Sequence, residues 1–276
     1  MSVFENFFEM KATPFVRDVP ASRLYRSPQI DDAVGRLKYA VDKQKFATVM
    51  AEPGCGKSTL IRMFISELPK DRYLTLYLSD SNLTPRWLYG GLLNQLGLEP
   101  RFYRGDSKAD LQKELETVWS VQGRRVVCIL DEAHLLEKET LEEFRFLLNT
   151  EYDSKSNLAL ILVGQKELWE NKLRRKKYAA IRQRVDISIV LDRLDQAEVG
   201  KYIRAHLDYA GYMGELFTSD AEEEIYRISG GIPRMINRIC EKTLMYAYQQ
   251  QKRMIDGHMV RYVGDHEMVQ EELVNM

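Results

Sequence analysis

Phe46-Ala47-Thr48-Val49-Met50 runs directly into Ala51-Glu52-Pro53-Gly54-Cys55-Gly56-Lys57-Ser58-Thr59, and an apolar stretch, Leu60 to Ile65, follows. The first five residues read as a buried strand and the last six as a helix, with two glycines between them. That order matches the phosphate-loop pattern G-x-x-x-x-G-K-[ST], with Ala51 in place of its first glycine. Gly54 and Gly56 let the backbone curl so that successive N–H groups face a phosphate, and the helix N-terminus adds favourable partial charge. In such a loop Lys57 reaches the β- and γ-phosphates of ATP, and the Ser58 hydroxyl is a ligand for Mg²⁺. Pro53, Gly54, Cys55, Gly56, Lys57, Ser58 and Thr59 are therefore the expected nucleotide contacts. A ligand-free glycine turn is the alternative; the run from Gly54 to Thr59 between a strand and a helix speaks against it.

A second apolar strand, Val126-Val127-Cys128-Ile129-Leu130, ends in Asp131-Glu132-Ala133-His134. Ligands bind at the carboxyl edge of parallel sheets, so Asp131 is the expected Mg²⁺ carboxylate and Glu132 the residue that orients the attacking water. Taken alone, the pair reads as an acidic helix start. Combined with the phosphate loop upstream, it reads as catalytic. The strand Leu158–Val163 ends in Gly164-Gln165, and Gln165 is either an ordinary polar strand end or a contact to the γ-phosphate or its water. Arg182 and Arg184 precede the last strand. Either one reaches a neighbouring subunit's nucleotide, with Arg184 preferred, or the two are a solvated pair.

Strands are expected at Phe46–Met50, Tyr73–Leu78, Arg125–Leu130, Leu158–Val163 and Ile187–Leu191, read as continuous apolar runs covered on both faces. Helical spacing recurs at Leu88, Leu92 and Leu96, and at Leu141, Phe144, Leu147 and Leu148. From Asp195 onward only helices are expected, at Gln196–Ala210, Ser219–Ser229 and Pro233–Gln250. The expected fold is an α/β parallel sheet wrapped by helices over residues 1–192, followed by a small α-helical domain over 193–276. Ser229-Gly230-Gly231-Ile232-Pro233-Arg234 opens the last of those helices, and Arg234 in its first turn is placed to reach back to the γ-phosphate. The tail carries Asp265, Glu267, Glu271 and Glu272 and reads as a short or frayed helix.

The 276 residues include 45% hydrophobic and 29% charged side chains with a net charge of −1, which is ordinary for a globular protein and implies no global field for nucleic acid. No apolar run approaches the roughly 20 residues of a membrane helix, and Met1 to Met10 lack the pattern of a secretory signal. Cys55, Cys128 and Cys240 are odd in number and far apart, which argues against disulfides or a zinc site and for a reducing, cytoplasmic setting.

Together these motifs resemble the AAA+ ATPases of the ExeA-like group, which includes ATP-binding proteins encoded beside transposases, and more distantly the transposition regulators Mu B and TnsC. The resemblance runs from Thr13-Pro14-Phe15 and Leu24-Tyr25-Arg26-Ser27 through Leu130-Asp131-Glu132-Ala133-His134 and Val163-Gly164-Gln165. It continues through Tyr202 to Leu207 and Gly230-Gly231-Ile232-Pro233-Arg234-Met235-Ile236-Asn237. It implies an ASCE-type P-loop sheet with a helical lid, ATP bound where the two meet, and assembly into rings or helical filaments. It further implies Pro14 and Phe15 near the adenine, Gln165 as sensor 1 and Arg234 as sensor 2. The family commonly has glycine where Ala51 stands.

The resemblance also brings in double-stranded DNA, a transposase and further copies of this chain as partners. Transposition regulators of this kind line the inner face of their assembly with loops from the early sheet. Here those loops are Ser79 to Arg86 and Pro100 to Lys108, with Thr84, Arg86, Arg101, Tyr103, Arg104, Ser107 and Lys108 as the expected DNA contacts. Solvated loops are the alternative, and the run Arg174-Arg175-Lys176-Lys177 is assigned to no partner. The expected function is an ATP-dependent, DNA-bound oligomer that regulates transposition. A secretion-associated ATPase of the ExeA kind, acting on protein partners, is the alternative. The ExeA protein is linked to a membrane, and the lack of a membrane span or extra domain in this sequence favours the transposition branch. A nucleotide-gated scaffold that barely hydrolyses ATP is a third reading, which Glu132 and an available arginine disfavour.

Overall fold

The computed structural model of the protein describes residues 3–80, 83–148 and 156–268. Ser81 and Asn82 of the first candidate DNA loop, and Glu271 and Glu272 of the acidic tail, lie outside them. In chain order the elements are α1 (Val3–Phe7), α2 (Pro28–Asp42), β1 (Phe46–Ala51), α3 (Lys57–Ser66), β2 (Tyr73–Leu78), α4 (Pro85–Gln95), α5 (Arg104–Ser120) and β3 (Arg125–Leu130). They continue with α6 (Lys138–Leu147), β4 (Leu158–Gly164), α7 (Ala179–Arg182), β5 (Ile187–Leu191), α8 (Gln196–Tyr209), α9 (Ser219–Ser229), α10 (Pro233–Gln249) and α11 (Gly257–His266). The chain groups into two compact units. One is Gln29–Pro53 with Leu60–Leu191; the other holds the residues up to Pro28, Gly54–Thr59, and those from Asp192 onward.

The first unit is a five-stranded, wholly parallel sheet in the order β2-β3-β4-β1-β5 with helices around it. The three inner strands are buried along nearly their whole length because helices cover both faces, as their continuous apolar sequences predict. The edge strands depart from that expectation: β2 and β5 leave Tyr77 and Val190 exposed. Side chains shield both edges. Gln95 accepts a hydrogen bond from the Tyr77 amide at 2.9 Å and donates to the Tyr77 carbonyl at 2.8 Å, so its amide group mimics a neighbouring strand. Arg36 donates to the Ser188 carbonyl of β5 at 2.7 Å.

On the sheet, α4 buries Leu88, Tyr89, Leu92 and Leu93, and α6 buries Leu141, Phe144 and Leu147. Each such side chain contributes on the order of 2 kcal/mol by leaving water. Gly91 lets α4 pass close to the end of β2, since a Cβ there would lie 2.8 Å from Leu78 Cδ2 and the leucine end would have to shift. Glu143 of α6 is buried, and three groups satisfy it: the Tyr89 hydroxyl donating at 2.6 Å, Arg104 at 3.1 Å and Lys108 at 3.5 Å. Losing one of these partners would leave a buried carboxylate undercompensated.

The second unit is helical. α8 starts with a full capping box, Asp195 and Glu198 satisfying each other's backbone. Val199, Ile203 and Leu207 of α8 join Ile225 of α9 and Ile236, Ile239 and Leu244 of α10 in one core, to which the N-terminal segment adds Phe4, Phe8, Met10 and Phe15. α9 ends on left-handed Gly230, and the next turn is closed by the Leu194 amide donating to the Gly231 carbonyl at 2.9 Å. The pattern reading missed α11. Its two glycines break the apolar repeat, yet both are contact residues: a Cβ on Gly257 would lie 2.8 Å from Asp220 Oδ2, and one on Gly264 would lie 2.7 Å from Ile228 Cδ1. Close approach to α9 selects glycine there, and the Asp256 side chain caps the helix by accepting from the Met259 amide.

Candidate nucleotide site

The phosphate loop leaves β1 at Ala51, which is fully buried at the end of the strand and is not among the residues with positive φ. Strand geometry at this position needs no glycine, which accounts for the departure from the motif. Gly54 and Gly56 sit at φ +86° and +92°, the left-handed region that curls a loop around an anion. Lys57 is buried at the first position of α3 and Ser58 is exposed beside it. Cys55 is buried within the loop, and Pro53 is exposed.

Gly54 also contacts the start of α10. The Arg234 amide donates to the Gly54 carbonyl at 3.3 Å, and a Cβ on Gly54 would lie 3.0 Å from both Arg234 Cβ and Ile232 Cγ2. Pro233 occupies the first helical position, where its missing N–H is of no consequence, and Arg234 follows in the first turn. Arg234 and the phosphate loop are therefore neighbours.

At the carboxyl edge of the sheet, β4 lies between β1 and β3, so the strand leading to Gln165 separates the phosphate-loop strand from the acidic strand. The Asp131 carboxylate is held on both sides. Its Oδ1 accepts from the Glu132 amide at 2.8 Å and its Oδ2 from the Tyr77 hydroxyl at 2.8 Å. Glu132 adopts a left-handed backbone, φ +53°, and its side chain stays half-exposed with Oε2 3.5 Å from His134 Nδ1. The same ring nitrogen accepts from the Gln165 amide at 3.4 Å, so His134 lies between two candidate catalytic residues. Gly164 permits this packing, since a Cβ there would lie 3.1 Å from the His134 amide nitrogen. Next to Gln165, Lys166 pairs with Glu52 at 3.0 Å. His134 and Lys166 lie beside the acidic pair and Gln165 in the sequence but were given no role there, and Tyr77 belongs to no motif.

Of the two candidate arginines, Arg182 donates through Nη1 to the carbonyls of Leu173 and Arg174 at 3.1 and 2.8 Å, which ties it to its own chain. Arg184 is partly buried just before β5. Pro14 and Phe15 are buried. Phe15, at φ +61°, stacks on His206 at 5.1 Å and donates its amide to His206 Nδ1 at 3.2 Å. Burial pushes the His206 imidazole down to about 4, so the ring is neutral and accepts at Nδ1. Both residues lie in stretches that carry the resemblance, but nothing in the sequence pairs them.

The candidate DNA residues divide. Ser107 is only 3% exposed and its hydroxyl is bound to the Arg101 backbone, so it does not face solvent. Thr84 caps α4, Arg101 pairs with Asp110 at 2.8 Å, and Arg104 and Lys108 pair with Glu143. The most open aromatic surface belongs to Trp87, Phe102 and Tyr103, at 67%, 74% and 68% exposed, with the Arg86 guanidinium 5.3 Å from the Phe102 ring centre.

Among the described residues no helix is long and apolar enough to cross a membrane. Residues 41–171 match the family model for the AAA domain. Over 251 residues, 89% of this chain, the sequence is 32% identical to General secretion pathway protein A of Aeromonas hydrophila. The chain spans 45% of that protein's length. Among solved structures it is similar to Cdc6p from Pyrobaculum aerophilum, with a TM-score of 0.71 at 18% identity over 95% of this chain and 73% of that one. It is also similar to Drosophila ORC bound to DNA, with a TM-score of 0.68 at 17% identity over 98% and 67%. The parallel sheet with its flanking helices and C-terminal helical region thus has the P-loop AAA+ fold of the Cdc6 and ORC proteins.

Proposed function

We propose that the chain is a Mg²⁺-dependent ATP hydrolase. The glycine loop at 54–58 carries this reading, with two left-handed glycines between a buried strand and a helix. Lys57 binds the β- and γ-phosphates, and Glu132 orients the attacking water. Gln165 and Arg234 contact the γ-phosphate, and Arg184 serves a neighbouring copy's nucleotide. Pro14 and Phe15 border the adenine. The Ser58 hydroxyl and the Asp131 carboxylate are hard oxygen donors of the kind Mg²⁺ takes, and among the described residues each Asp131 oxygen accepts one hydrogen bond, from Glu132 and from Tyr77, with lone-pair capacity beyond it. Mg²⁺ would supply charge neutralisation at the phosphates. Glu132→Gln tests the chemistry: nucleotide binding should persist while turnover falls by about 10² or more. Unchanged turnover would remove Glu132 from its role.

The task this engine performs has two readings. In the first, ATP assembles copies into a ring or filament on double-stranded DNA, and the assembly selects targets for, or activates, a transposase. The exposed Arg86 beside the Phe102 ring supports it, because a surface cation suits the phosphate backbone, and so does likeness of fold to an ORC seen on DNA. In the second, the chain drives protein partners of a secretion pathway, supported by its 32% identity to General secretion pathway protein A. Electron microscopy with duplex DNA and a slowly hydrolysed ATP analogue separates them. Salt-sensitive rings or filaments on the duplex support the first, and free particles count against it.

A further inference from the structure

Tyr77 lies on the edge strand β2, one strand away from the acid pair, and no motif includes it. Its hydroxyl donates to Asp131 Oδ2 at 2.8 Å, opposite the Glu132 amide on Oδ1. The phenol is the donor here, since an ionised carboxylate offers only acceptor oxygens. Tyr77 is itself held. Both its backbone groups pair with the Gln95 side chain, and the next residue, Leu78, presses on Gly91 of α4 while its carbonyl accepts from the Asp131 amide at 2.8 Å. Residues 77 and 78 thus join α4 to the backbone and side chain of Asp131.

We propose that Tyr77 is a positioning residue for the metal site: its hydroxyl fixes the Asp131 carboxylate in the orientation that receives Mg²⁺, and Gln95 on α4 fixes Tyr77. This rests on the reading of Asp131 as the metal carboxylate. A carboxylate restrained by two donors enters the metal complex with its rotamer already set. A Phe at position 77 keeps the ring but frees one oxygen to rotate or to recruit water.

The test is Mn²⁺ capture, followed by electron paramagnetic resonance, on the full chain with a slowly hydrolysed ATP analogue. Tyr77→Phe should weaken Mn²⁺ half-saturation about tenfold or more, while binding of a fluorescent ATP analogue in EDTA stays within about twofold of the parent. Gln95→Leu should shift Mn²⁺ binding in the same direction by less, since the hydroxyl remains. A purely structural role for Tyr77 would lower the melting temperature and leave Mn²⁺ capture unchanged, and that result overturns the proposal. If Tyr77→Phe does not melt cooperatively, Gln95→Leu decides by the same criterion. Asp131→Asn with undiminished Mn²⁺ capture would overturn the metal reading itself, a result distinct from failure at Tyr77 alone.

Discussion

The Arg234 amide donates to the Gly54 carbonyl at 3.3 Å, which ties the first turn of α10 to the glycine loop. The contact leaves no room for a side chain at 54, since a Cβ would meet Arg234 Cβ and Ile232 Cγ2 at 3.0 Å. Gly54→Ala should therefore cost stability twice, about 1–2 kcal/mol for φ +86° and a further 1–3 kcal/mol for the crowding. A chemical melt should show this loss, and ATP affinity should fall with it. Gly56→Ala shares the strain but has nothing within 4 Å of its Cβ, so it should cost less.

His206 gives the helical unit a pH signature. Folded, the buried ring holds its proton only below about 4; unfolded, it does so below its ordinary 6.5. Between these values the unfolded chain binds more protons, so stability rises with pH across the window and is lost as pH falls from 6.5 toward 4. The slope is at most about 1.4 kcal/mol per pH unit, a loss on the order of 3 kcal/mol across the window. Urea melts of parent and His206→Gln should differ in that slope below pH 6.5 and run parallel above it. Parallel curves throughout would mean that His206 is not buried and neutral.

Gly164→Ala should damage turnover more than folding. Its Cβ would push on the His134 amide 3.1 Å away, and the turn carrying Glu132 would have to move. Crowding of this kind costs about 1–3 kcal/mol, whereas displacing a water-orienting group by even 1 Å can cost up to about 10² in rate. Steady-state ATP turnover beside a thermal melt separates the two effects.

The candidate DNA surface also divides by prediction. Arg86→Ala should weaken salt-sensitive duplex binding by removing a phosphate contact and should lower the salt slope by about 1, and Phe102→Ala, which removes the ring beneath that guanidinium, should act in the same direction. Ser107→Ala should leave DNA affinity unchanged and instead lower the melting temperature, because the Ser107 hydroxyl braces the Arg101 backbone. A gel-shift titration with parallel melts reads both.

The sheet was legible because its inner strands are unbroken apolar runs. All five strands were placed in advance, with β1 and β4 each running one residue further than expected, to Ala51 and Gly164. The phosphate loop was legible because only glycine holds its turn cheaply. What stayed hidden depends on contacts between residues distant in sequence. Gly257 and Gly264 look like breaks in a helix and are packing positions against Asp220 and Ile228. Tyr77 looks like any strand tyrosine until its hydroxyl is found on Asp131, 54 positions away. Ser107 and Arg101 look like a basic, hydroxyl-bearing loop open to phosphates; local hydrogen bonds turn Ser107 inward, and Arg101, though exposed, is paired with Asp110.

The central claim is that a triphosphate is held by the loop from Gly54 to Ser58. Equilibrium titration of a fluorescent ATP analogue with Mg²⁺ into parent and Lys57→Ala protein tests it most directly. The account predicts saturable binding by the parent and a loss of about 10² in affinity in the variant, as expected when a charge-assisted phosphate contact is removed from a preformed site. A variant that folds normally and binds as tightly as the parent would contradict it.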